Sequence, residues 1–136
     1  MEKREELRSE ILRRVQRNYV RVVEIERLTK ELGTALSRND QESAQLLVRM
    51  RQDEIEQANE TKREVQLLLQ SAGGEEQKKL RSWLSGEMKL EPDGFEAGKI
   101  VEISSQLNQV LNRTISADKA INLKLAGKDS YYHAAT

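Results

Sequence analysis

Pro92 is the only proline in 136 residues, so only one position forbids an ordinary helix interior by its own chemistry. The glycines reinforce that pattern. Gly73, Gly74, Gly86, Gly94 and Gly98 crowd into one stretch with Pro92, and only Gly33 and Gly127 stand apart. The breakers thus leave three long segments free for uninterrupted helix, and their apolar periodicity matches that geometry. Leu7, Ile11, Val15, Tyr19, Val22, Ile25, Leu32 and Leu36 recur at helical steps and predict a helix over 4–37. Gly33 is its weak point, costing about 1 kcal/mol relative to Ala and suggesting an early fray. A turn at Ser37–Asp40 follows, where Asn39 or Asp40 can cap the next helix, and Asn39 with Glu42 three residues on resembles a capping box.

The second helix is expected over about 40–72. Ala44, Val48, Arg51, Ile55, Ala58, Lys62, Val65, Leu69 and Ala72 form a heptad seam interrupted by two cations. Arg51 and Lys62 either cover apolar surface with their stems or set specificity for a partner. Gly73-Gly74 is expected to close this helix. A short helix over 75–85 presents Leu80, Trp83 and Leu84, and Gly86 ends it. Residues 86–98 form the main irregular connection, with Met88, Leu90 and Phe95 expected to pack it down. The last helix is expected over 96–126 with Gly127 as its cap. Three helices of this length would each run roughly 46 to 50 Å at 1.5 Å per residue. The predicted fold is all-α, an elongated antiparallel bundle of three long helices plus one short helix. One domain spans 1–127, and 128–136 is read as a flexible C-terminal tail.

Composition narrows the chemistry. Lys+Arg and Asp+Glu are 23 each, so no net charge draws the chain toward nucleic acid or an anionic membrane. Arg13, Arg17 and Arg21 form a stripe at helical spacing, read mainly as a solvated face. Aromatics are 4%, too few for a base-stacking platform. There is no cysteine, hence no disulfide, thiol nucleophile or thiolate metal site. The one histidine, His133, lies near the C-terminus, where a catalytic geometry is hard to hold. Gly94–Ile100 mimics a phosphate loop but is one residue short and has Ile100 where a hydroxyl belongs. No enzyme, cofactor, metal or membrane insertion is expected. The charged start lacks the apolar stretch of a signal peptide, so a cytoplasmic protein is expected.

The last helix carries the most information. Ile100, Ile103, Leu107, Val110, Leu111, Thr114, Ile115, Ala117, Ile121 and Leu125 make a broad apolar stripe. Ser104, Asn108, Asn112 and Asn122 border it, and Asp118 falls near its centre. Spacing alone allows two readings, a bundle's core-facing helix or one wall of a groove that receives another amphipathic helix.

The segment LNQVLNRTISADKAINLKLAGKDSYY resembles the C-terminal region of FlgN-type flagellar export chaperones. Asn108, Asn112, Ile115, Ile121, Leu125, Gly127 and Tyr131 or Tyr132 carry the likeness. LSRNDQESAQLLVRMRQDEIEQ is similar to the family's early turn and following helix, and the FliT-type chaperones are the second choice. The resemblance implies a non-enzymatic cytoplasmic chaperone of flagellar type III export. It would bind C-terminal amphipathic helices of hook-filament junction proteins, prevent premature assembly and possess contacts to export apparatus components. The implied client contacts are Ile103, Leu107, Val110, Leu111, Thr114, Ile121 and Leu125, with Asn108, Asn112 and Asn122 hydrogen-bonding at the edge. A monomer or weak homodimer is expected. The alternative, from the seam of the second helix, is a self-associating coiled-coil scaffold or adaptor.

Overall fold

The computed structural model describes the backbone of residues 2–87 and 89–135, and the side chains of 3–87 and 89–123. The described residues form four helices: α1 (Glu2–Ser37), α2 (Gln41–Gln70), α3 (Gly74–Leu84) and α4 (Phe95–Ala135). No strand occurs among the described residues, and the all-α class expected from the sequence is observed. Helix α4 continues through Gly127, where the sequence predicts a cap, and is 41 residues long. The side chains of the expected tail, of Tyr131, Tyr132 and His133, and of Leu125 lie outside the described residues, as does Met88.

The first turn uses one of the two caps expected, and the turn after α2 departs from expectation. Of the two candidates Asp40 caps α2, its carboxylate accepting from the Ser43 amide at 3.1 Å, so the Asn39–Glu42 capping box does not form. Hydrogen bonding to Ser43, through its side chain first and its amide second, holds the Asp40 carboxyl below its usual range. Asn39 instead takes the left-handed conformation, φ 57°, which a short polar side chain tolerates and which reverses the chain within three residues. Ser71 closes α2, and the Gly73-Gly74 pair opens α3 rather than ending α2. Gly86, at φ 73°, ends the α3 segment as expected.

Side-chain pairs fix how the helices run. Asn18 donates to the carbonyl of Ala58, and Arg21 to that of Gln57 and to Thr61 Oγ1. Later residues of α1 therefore meet earlier residues of α2, and the two are antiparallel. Arg113 pairs with Glu26, and Ile121 rests on Gly33, so α4 runs parallel to α1. Helix α1 packs along both α2 and α4, whereas α2 and α4 scarcely approach each other.

The core has two parts. At the base, Ile11, Leu12 and Val15 of α1 meet Val65 and Leu69 of α2, Leu80 and Trp83 of α3, and Ala97, Ile100 and Val101 of α4. At the tip, near the α1–α2 turn, only Leu32, Ala35 and Ala44 form a buried cluster, with Leu36 and Leu47 packed on it. The base is tied by Arg8, whose side chain is 4% exposed. Its guanidinium grips Glu76 at 2.6 and 2.8 Å and Asp93 at 2.5 Å, and lies over the Trp83 ring at 4.8 Å. Asp93 also accepts from Lys79 at 2.9 Å. Together Arg8 and Lys79 hold the Asp93 carboxyl well below the ordinary carboxylate range. The connection after α3 is thus fastened by polar groups. Leu90 and Phe95, expected to pack it down, are exposed, and Leu90 contributes its backbone, accepting from Trp83 Nε1 and donating to Ser82 Oγ.

Candidate functional site

Helix α3 fills the space between α2 and α4 only at the base. It reaches α2 through Gln77, which donates to the Leu69 carbonyl at 2.7 Å. Its end reaches α4 where Asn108 Nδ2 donates to the carbonyl of Ser85 at 2.9 Å. With 11 residues, α3 stops there. Above it no described residue fills the corner opposite α1, and a furrow of about 580 Å³ opens near the tip.

The furrow's floor is α1, through Leu32 and Leu36. One wall is α2, with Ala44, Val48 and Arg51, and the other is α4, with Asp118, Ile121 and Asn122. Arg51 crosses the floor. Its Nη1 donates to Asp118 Oδ1 at 2.6 Å and to the fully buried Thr29 Oγ1 at 3.4 Å. A cation placed mid-seam on α2 therefore links three helices and neutralises the one carboxylate on the opposite wall. Val48, a seam position, is 46% exposed because nothing covers the furrow among the described residues.

Helical arithmetic extends the α4 wall downward. Leu107 and Leu111 precede Asp118 by eleven and seven residues, and Asn122 follows it by four. At 100° per residue all four lie within about 60° of arc. Both leucines are half-buried. On α2, Ile55 and Lys62 follow Arg51 by four and eleven residues on the corresponding flank. The pair Arg51–Asp118 sets the register, which places Lys62 level with Leu107, where α3 ends.

The residues expected to touch a partner separate into groups. Leu107, Leu111, Ile121 and Asn122 share the furrow flank. Val110 and Thr114 are buried, at 3% and 7% exposure, level with Val22 and Arg27 of α1. Thr114 Oγ1 donates to the Val110 carbonyl at 2.8 Å. Ile103 packs against the base core. Asn108 anchors the end of α3, and Asn112 is exposed. The floor residues Leu32 and Leu36 belong to α1, so the stripe of α4 alone gave no sign of them.

On the other side of Ile121 a second hollow of about 540 Å³ separates α1 from α4, lined by Thr29, Gly33, Ser37, Ala117 and Ala120 among others. A Cβ on Gly33 would stand 3.4 Å from Ile121 Cδ1. Gly33 thus faces α4 at ordinary contact distance rather than marking a fray, and α1 continues past it. Below, Glu26 accepts from Arg113 Nε at 2.9 Å and Nη2 at 3.2 Å. That pairing lowers the Glu26 carboxyl pKa and raises that of the Arg113 guanidinium. Arg21, from the basic stripe, is occupied with α2.

No group of three or more His, Cys, Asp or Glu among the described residues is arranged to hold a metal. No helix of the described residues is long and apolar enough to cross a membrane. Comparison with known proteins gives no match, whether to family models, curated proteins or solved structures.

Proposed function

We propose that this chain is a non-enzymatic chaperone of the flagellar export kind, acting in the cytoplasm and holding a client's amphipathic helix in the furrow between α2 and α4. The observation that carries this reading is the corner left vacant where α3 stops, with an apolar floor and half-buried leucines on one wall. A helix lying there would bury its apolar face against α1 and both walls, as α3 does at the base. The resemblance of the α4 segment to FlgN-type chaperones, with FliT-type as second choice, supplies the client class: C-terminal helices of hook-filament junction proteins. The elongated bundle would be the rigid frame, and export apparatus components the later partners.

Leu111→Asp tests the site. A peptide of the C-terminal helix of a hook-filament junction protein should bind the parent chain by calorimetry, and the variant, still helical by circular dichroism, should lose at least about tenfold in affinity, equal to 1.4 kcal/mol. No binding to the parent chain removes the reading. Undiminished binding to the variant removes the furrow as its site.

A second reading has its own observation. Leu46 and Met50 are exposed one helical turn apart on α2, as a self-associating scaffold would require. Sedimentation showing a monomer at micromolar concentration removes it.

A further inference from the structure

We infer that the furrow between α2 and α4 selects an amphipathic helix of about four turns that carries acidic residues beside its apolar ridge. This rests on the furrow being a helix-binding site, and adds the partner's charge and length. Length follows from the register. The open wall runs from Leu107, level with the end of α3, to Asn122 near the tip, about 22 Å at 1.5 Å per residue. The kind of occupant follows from continuity with α3. That helix enters the same corner at the base and buries Leu80 and Trp83 against α1, α2 and α4. The vacant length has the same floor and walls, so it suits another helix with apolar residues at steps of three and four.

Charge follows from what is already engaged. Asp118, the one carboxylate lining the furrow, is paired with Arg51. Arg49 at the tip and Lys62 at the α3 end are exposed on α2, and neither pairs with a carboxylate among the described residues. At the tip the other polar groups lining the furrow are amides, Gln45 and Asn122, and further down the outer rim of α2 Glu56 is a lone carboxylate beyond the apolar floor. Two uncompensated cations at opposite ends of an apolar trough attract carboxylates spaced along the rim of a partner helix and repel a basic one.

The test uses two capped peptides of about 15 residues, with the same leucine pattern at steps of three and four. One carries Glu at the flanking positions and the other Lys. Titration calorimetry against the full chain in about 50 mM salt should show the Glu peptide binding about tenfold more tightly, with the gap narrowing as salt rises. The double variant Arg49→Glu, Lys62→Glu should reverse the preference. Both sites are exposed, and unchanged Trp83 fluorescence checks that the fold is kept. Equal binding of the two peptides, or preference for Lys, overturns the charge selection and leaves the helix-binding furrow standing. Binding of neither peptide, when the hook-filament junction helix does bind, also overturns the inference. Binding of none of the three removes the furrow reading itself.

Discussion

At the base, four helices surround Leu80 and Trp83, both fully buried, and a guanidinium with two carboxylates closes the outside. At the tip, two helices, α1 and α2, share a cluster of Leu32, Ala35 and Ala44, and Val48 stands open beside it. The same α1 serves as floor for both ends. What differs is whether the corner opposite α1 is filled. The base has the side-chain volume and polar closure of a finished core. The tip has the apolar lining without the fourth member among the described residues, which is the opening on which the proposed chaperone reading rests.

That contrast can be broken most severely at Trp83. Trp83→Ala should cost about 3–5 kcal/mol, because a large side chain with no exposure leaves a cavity among four helices. Chemical denaturation followed by circular dichroism measures it. A loss below 1 kcal/mol would mean that the base is as loosely filled as the tip.

Arg8→Met comes next, at about 3 kcal/mol, since it leaves the largely buried Glu76 without its guanidinium partner. The same network gives the base an acid sensitivity. The Asp93 carboxyl is held below its unfolded value of about 3.9, so its contribution is complete above that pH and is lost as pH falls further. Trp83, the only tryptophan, reports this region alone. Its emission should shift red below about pH 4, and Asp93→Asn should weaken that acid dependence while lowering stability at neutral pH.

The smallest effects have opposite signs at the two ends. Gly86→Ala should destabilise by about 1–2 kcal/mol, since its φ of 73° is left-handed and an added Cβ would meet Asn108 Nδ2 at 3.0 Å and Ser105 backbone at 3.2 Å. Gly33→Ala should stabilise by about 0.5–1 kcal/mol through helix propensity, because its Cβ would make only an ordinary contact with Ile121. Thermal melts of the two variants in parallel read both signs. A destabilised Gly33→Ala would mean that α4 sits tighter on α1 at the tip than the open hollow beside it implies.

Much of the fold is legible in the sequence because periodicity and breakers are local signals. The glycines and Pro92 mark the connections, and the Leu80–Trp83–Leu84 face of α3 is buried or half-buried as its spacing suggests. Errors arise where tertiary partners decide. Whether Asn39 or Asp40 caps α2 depends on which takes positive φ, and Gly33 reads as a fray until Ile121 is seen above it. The α4 stripe marks candidate contacts but cannot divide Val110 and Thr114, turned toward the α1 seam, from Leu107 and Leu111 on the furrow flank. That division needs the register of α4 on α1, which the Glu26–Arg113 pair fixes across 87 residues of sequence.

The stop imposed by Gly86 gives the chain a simple route of change. An insertion of two helical turns ahead of Ser85 would carry α3 on toward the tip, along the flank that now stands empty. Its own leucines would then occupy the trough permanently, and the molecule would become a closed four-helix protein with no vacancy to offer. A deletion of one turn would lengthen the trough and shift the demand to longer guests. The length of the open trough is thus written in the length of a single short helix, and gains or losses of a few codons in that segment would retune it without altering any residue of its walls.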